Sequence, residues 1–163
     1  MIRAKFKKLK GLLLPALFIA SGVGLGLLIN NFVACKVTVD GVSMNPTYYT
    51  GDTIVVSKLS TPERGDIVTF QKNGKYFIKR IIAIPGDSIS IQNSKVYVND
   101  KIIEEDYINE DIFDGGNIEN SVFTLNDGEY FVMGDNRNNS LDSRVFGVVY
   151  KDEILGTKLI DLG

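Results

Sequence analysis

The chain opens with its longest apolar run, which carries no charged residue from Gly11 to Cys35. As a helix rising ~1.5 Å per residue, these 25 positions span about 37 Å, more than the roughly 30 Å of a bilayer's hydrocarbon core. Five cations precede it, Arg3, Lys5, Lys7, Lys8 and Lys10, and basic flanks stay on the cytoplasmic side. Pro15 and the spaced glycines 22, 24 and 26 are compatible with a membrane helix. The apolar core of a cleaved signal peptide is shorter, about 7–15 residues. The pattern therefore predicts a retained anchor: a cytoplasmic basic tail at 1–10, a transmembrane helix at 11–35, and the remainder across the cell membrane as a single-pass protein.

From Lys36 onward the period changes to two. Lys36 to Val39 alternates, and Asp52 to Lys58 is rich in β-branched residues. Turn chemistry at Pro62 to Asp66 leads into a strand at Ile67–Phe70. Asn73-Gly74 is a strong hairpin signal before a strand from Tyr76 to Ile84, which Pro85-Gly86-Asp87 ends. Ser88–Gln92, Lys95–Val98 and Lys101–Ile103 read as short strands with turns at Asn93-Ser94 and Asn99-Asp100. Glu129–Met133 reads as a last core strand, and no soluble helix is predicted. The expected body is all-β and antiparallel.

Composition adds three exclusions. Once the five cations of the tail are set aside, 13 basic and 20 acidic residues remain, so no basic face is left for phosphates and nucleic acid is not an expected partner. A lone cysteine, Cys35, excludes an internal disulfide and a cysteine-built metal site. The absence of histidine removes Ser-His-Asp catalysis and histidine-ligated zinc. No metal and no cofactor are expected. Any hydrolase chemistry must draw its base from lysine, tyrosine or a carboxylate. Residues 91–121 hold eight acids against two lysines and read as a small acidic insertion, leaving 36–90 and 122–163 as the main domain.

Gly41-Val42-Ser43-Met44-Asn45-Pro46-Thr47, just after the apolar run, has the look of an exposed nucleophile, although the same string also suits an ordinary turn. Lys79 is the candidate base. Strand period places it on one face with Phe77, Ile81 and Ala83, where desolvation disfavours its charged form and lets it accept a serine proton. A lysine snorkelling from a strand edge is the competing reading. Arg80, on the other face, needs a partner, and acids are available between Gly134 and Arg144. That polar segment also offers hydroxyls and amides suited to supporting a site.

Four blocks in order carry a resemblance: Gly41 to Thr47; Gly51 to Lys58; Arg64 to Phe70 with Lys79 to Asp87; and Gly134 to Ser140 with Asp142-Ser143-Arg144. Behind an N-terminal anchor and without histidine, this arrangement resembles the type I signal peptidases of the Gram-positive kind. The resemblance implies an antiparallel β catalytic body with a small β insertion and a membrane-anchored serine endopeptidase. It also implies exported preproteins as partners beside the lipid bilayer, pilin subunits being one candidate class, with cleavage after small residues as in Ala-x-Ala. By position it makes Ser43 the nucleophile, Lys79 the base, and Ser140 the hydroxyl orienting the amine. Asp135 would pair with Arg80, and Asp142 with Arg144. The Ser43 backbone N–H would donate to the oxyanion, and Gly41 stands where some relatives add a serine hydroxyl. Val39, Met44, Tyr48 and Ile78 are the expected pocket walls. Asn138 and Leu141 depart from residues common in the family.

Two other readings compete. A self-cleaving repressor would need an Ala-Gly or Cys-Gly bond, and neither dipeptide occurs. A non-catalytic signal-peptidase-like factor assisting assembly of secreted or pilus proteins would lack the serine or the lysine, and both are present.

Overall fold

The computed structural model describes residues 15, 17–26, 33–113, 116 and 121–162. The basic tail 1–10 and parts of the expected anchor and insertion lie outside them. Residues 17–26 form an exposed helix, α1, and among the described residues no helix is long and apolar enough to cross a membrane. One boundary is corrected. Ala34 and Cys35, placed in the predicted helix, begin strand β1 (Ala34–Thr38) and pair with Ser57 and Val56 of β2 (Thr53–Ser57). Being small and uncharged, they carry no local mark separating helix from strand; the partner strand decides.

Nine further strands follow: β3 (Ile67–Lys72), β4 (Lys75–Ala83), β5 (Ser88–Gln92), β6 (Lys95–Val98), β7 (Lys101–Ile102), β8 (Phe123–Thr124), β9 (Glu129–Met133), β10 (Val149–Tyr150) and β11 (Ile154–Asp161). They build a seven-stranded sheet in the order β1-β2-β11-β3-β4-β9-β10 and a four-stranded sheet in the order β7-β6-β5-β8, with every pairing antiparallel. Hairpins turn at Asn73-Gly74, Asn93-Ser94 and Asn99-Asp100, with positive φ at both residues of each pair. That conformation matches the right-handed twist of the flanking strands, and asparagine and glycine adopt it readily.

Glu129–Met133 is not the last core strand. β11 follows it and lies between β2 and β3, near the centre of the larger sheet. Its sequence, Ile-Leu-Gly-Thr-Lys-Leu-Ile-Asp, does not alternate, because register shifts interrupt its pairing on both sides. Gly156 is required there, since a Cβ would lie 2.8 Å from the Ser57 carbonyl oxygen. A one-turn helix, α2 (Ser143–Phe146), was also unpredicted.

A bulge in β4 also changes the predicted face. Register with β9 shifts between Ile81 and Ala83. Ile81 joins the core of Val68, Phe70, Tyr130, Val132 and Val149, with Phe77 packed against it. Ala83 turns instead with Ile82 to a second core, formed with Ile89, Ile91, Val96, Val98 and Met133. This second core is shared by both sheets, so the smaller sheet is fused to the larger one. It begins at Ser88 and ends at Thr124, a little wider than the compositional segment 91–121. Asp87 fastens the corner: it accepts from Arg64 at 2.7 Å, from Asn99 at 2.8 Å and from the Ile84 N–H at 2.9 Å.

Candidate active site

The loop between β1 and β2 carries Ser43. Its ends are tied by Val39 and Gly51, whose N–H groups donate to Asp52 and Val39 carbonyls at 2.8 and 3.0 Å. Gly41 holds φ at +90°, a left-handed value that favours glycine, and its N–H donates to the Thr50 hydroxyl at 3.0 Å. Met44, only 1% exposed, plugs the loop into the core of Val39, Tyr48, Ile54 and Val56. From the far side Asn136 bonds the same loop twice, its backbone N–H to the Ser43 carbonyl and its Nδ2 to the Val42 carbonyl, both at 3.1 Å.

Lys79 comes from the middle of β4. The residue is 3% exposed, its Nζ donates to Ser43 Oγ at 2.6 Å and to the Ile78 carbonyl at 2.9 Å, and it lies 5.7 Å from the Phe77 ring centre. Desolvation lowers its pKa from 10.5 to about 8, against the opposing pull of Asp142 and Asp135, which favour the charged form. No sequence pattern reveals that two side chains 36 residues apart touch; the crossing of the Ser43 loop over β4 does so.

Two arginine–carboxylate pairs back the dyad. Arg80 grips Asp135 through Nε at 2.9 Å and a terminal nitrogen at 2.6 Å, and Asp135 is 1% exposed. Asp142, fully buried, accepts from Arg144 Nε at 2.9 Å and a terminal nitrogen at 2.8 Å; it also caps α2 and accepts from the Gly134 N–H at 3.1 Å. Each buried carboxylate thus has several donors, and neither is left as an unpaired charge.

Ser140 is not hydrogen-bonded to Lys79. Its Oγ is buried with no hydrogen-bond partner among the described residues, packed on Gly134, where any Cβ would collide with Ser140 Oγ and the Ser43 carbonyl. The short 3₁₀ turn at Arg137–Asn139 sets this position. Tyr48 also lies elsewhere. Its hydroxyl donates to Asp161 at 2.5 Å and it lines a separate cavity of about 480 Å³ with Arg80 and Lys158. Val39, Met44 and Ile78 do line the cleft of about 410 Å³ that holds Ser43 and Lys79, alongside Val37, Asp40, Tyr76 and Leu141. Sequence reasoning assigned no role to Thr47, whose hydroxyl donates to Asp135 at 2.5 Å, or to Asn136, although both stand within the motif blocks.

A serine hydroxyl against a desolvated lysine amine, on an antiparallel β body beside an open cleft, is an arrangement that suits a hydrolase using a Ser-Lys pair. The family model described as signal peptidase, peptidase S26, matches residues 11–161. Signal peptidase I S of Bacillus subtilis (strain 168) is 37% identical over 162 residues, covering 92% of this chain and 88% of the relative. Signal peptidase IB of Staphylococcus aureus (strain N315) is 32% identical over 148 residues, covering 79% and 78%. A crystal structure of a signal peptidase I from Enterococcus faecalis V583 superposes with a TM-score of 0.51 at 31% identity, covering 60% of this chain and 97% of that one. The chain belongs to the signal peptidase family, peptidase S26, and is a serine peptidase.

Proposed function

We propose that this peptidase removes N-terminal signal peptides from exported preproteins, with Ser43 as nucleophile and Lys79 as general base. The 2.6 Å contact between Lys79 Nζ and Ser43 Oγ, inside a desolvated pocket, is the observation that carries the reading. Neutral Lys79 takes the Ser43 proton as Oγ attacks the scissile carbonyl, giving a tetrahedral oxyanion. That the Ser43 N–H donates to no acceptor among the described residues supports it as a donor to that charge. The resulting ammonium protonates the leaving amine, the amide bond breaks, and an ester links the signal peptide to Ser43. Lys79 then takes a proton from water as the hydroxide attacks the ester; the Ser43 Oγ–acyl bond breaks, Lys79 returns the proton to Oγ, and the signal peptide leaves as the acid.

The cleft favours an extended substrate. β9 pairs with β4 only from Arg80 onward, so among the described residues no strand covers the Tyr76–Lys79 edge that faces the cleft, which suits a peptide strand there. Its apolar walls, Val39 and Ile78 among them, suit small side chains next to the cut.

The reading extends to the bilayer. The uncharged run from Gly11 onward and the five cations before it support an anchor within residues 11–33, with the tail cytoplasmic and the catalytic body outside. The test is incubation of the purified full chain with a labelled preprotein, wild type beside Ser43→Ala. Cleavage by wild type and none by the variant is expected; equal cleavage by both overturns the assignment.

A further inference from the structure

The acidic segment between β7 and β8 sends two side chains into the back of the active site. Glu105, with its side chain 8% exposed, takes both terminal nitrogens of Arg137, at 2.9 and 2.5 Å. Arg137 is completely buried, and its Nε donates to the Gly134 carbonyl at 3.0 Å. Tyr107 donates its hydroxyl to Glu105 at 3.0 Å. Its ring lies against the Arg80 guanidinium, 4.0 Å from ring centre to carbon, with that of Arg137 at 5.7 Å. The two arginines that hold the 134–137 loop are thus both met by this segment.

We propose that Tyr107 and Glu105 are positioning residues of the peptidase: the ring holds Arg80 on Asp135, and the carboxylate holds Arg137 under Gly134, so that together they fix the loop against which Ser43 is set. The inference rests on the Ser43–Lys79 reading above. A guanidinium that grips a carboxylate edge-on leaves its flat face open, and an aromatic ring there excludes water and adds attraction to the cation. Without the ring, Arg80 gains rotamer freedom and hydration, and Asp135 loses part of its compensation. The charged groups bearing on Lys79 are Asp142 and Asp135. Asp142 remains paired with Arg144, whereas a less compensated Asp135 favours the lysine's charged, inactive form.

The experiment compares the full-length wild type with Tyr107→Leu and Tyr107→Phe, measuring kcat and KM on a labelled preprotein from about pH 6 to 10. Proton exchange at Arg80 Nε is followed by NMR in the same variants carrying Ser43→Ala. Tyr107→Leu is expected to lower kcat roughly fivefold at neutral pH, move the midpoint of the pH profile upward, change KM little and speed Arg80 exchange. Tyr107→Phe keeps the ring and restores kcat and midpoint. Unchanged kcat and midpoint in Tyr107→Leu, a loss shared equally by Tyr107→Phe, or a change confined to KM overturns the proposal. If Tyr107→Leu does not fold, the ring-current shift of the Arg80 guanidinium protons in the Ser43→Ala protein decides, its absence overturning the stacking. A wild type no more active than Ser43→Ala refutes the dyad reading, and the NMR arm still tests the brace.

Discussion

Lys79 is held in a place that works against its charge, as the proposed role of general base requires. Below about pH 8 both the folded and unfolded chains keep its proton, and the folded chain bears the full cost of burying it. Between about 8 and 10.5 the folded lysine is neutral while the unfolded one still binds a proton, so stability contributed by this residue rises with pH across that window. The lowering from 10.5 to about 8 corresponds to roughly 3 kcal/mol. Lys79→Met is therefore expected to be inactive and, at neutral pH, more stable by up to that amount; thermal melts at neutral pH and near pH 10 check it, with the gain shrinking at the higher value. Lys79→Arg is expected to be inactive at every accessible pH, because a guanidinium does not give up its proton. In the wild type, single-turnover cleavage is expected to climb with pH to a plateau, with its midpoint near about pH 8.

Elements matter here through where they cross. The 134–136 segment after β9 touches the Ser43 loop at four points: the two Asn136 bonds, the Thr47 hydroxyl on Asp135, and the contact of Gly134 with the Ser43 carbonyl. A methyl at position 134 has no room between that carbonyl and Ser140. Gly134→Ala is expected to destabilise the fold by about 1–3 kcal/mol through overpacking and to displace Ser43 from Lys79. A lower denaturation midpoint together with a fall in kcat that exceeds any change in KM checks this. The β4 bulge acts in the same way at longer range. By shifting the pleat after Ile81, it lets one strand serve two cores, while Lys79 and Arg80 stay on opposite sides facing Ser43 and Asp135.

At the scale of the whole molecule, one body holds Ser43 and Lys79, and the proposed N-terminal anchor would bring it to its substrate. A signal peptide is itself a membrane segment, and confinement of both partners to one bilayer raises their effective concentration. A chain starting at residue 33 is expected to cleave a short soluble peptide at nearly the full-length rate and to lose tenfold or more, roughly, on a preprotein held in vesicles. Equal loss on both substrates would assign the segment a folding role instead. The smaller sheet shares a core with the larger one, so excising residues 91–121 is expected to unfold the body rather than trim it, as circular dichroism would register.

The sequence by itself determined what depends on neighbours along the chain. Strand period, asparagine turns and the short motif around Ser43 are set by local sterics, and they put β1 to β7 and β9 close to their observed bounds. The lack of histidine narrowed the base to lysine, tyrosine or a carboxylate before any fold was known. Tertiary structure decided what depends on partners far apart in sequence. It set β11 between β2 and β3, because a strand interrupted by bulges has no period to read. It turned Tyr48 to Asp161 and left Ser140 unbonded, because side-chain direction follows from packing. It also carried Glu105 and Tyr107 from a segment that looked merely acidic to the two arginines behind Ser43. A buried charge is marked by its partner, and that partner is visible only once the chain has folded.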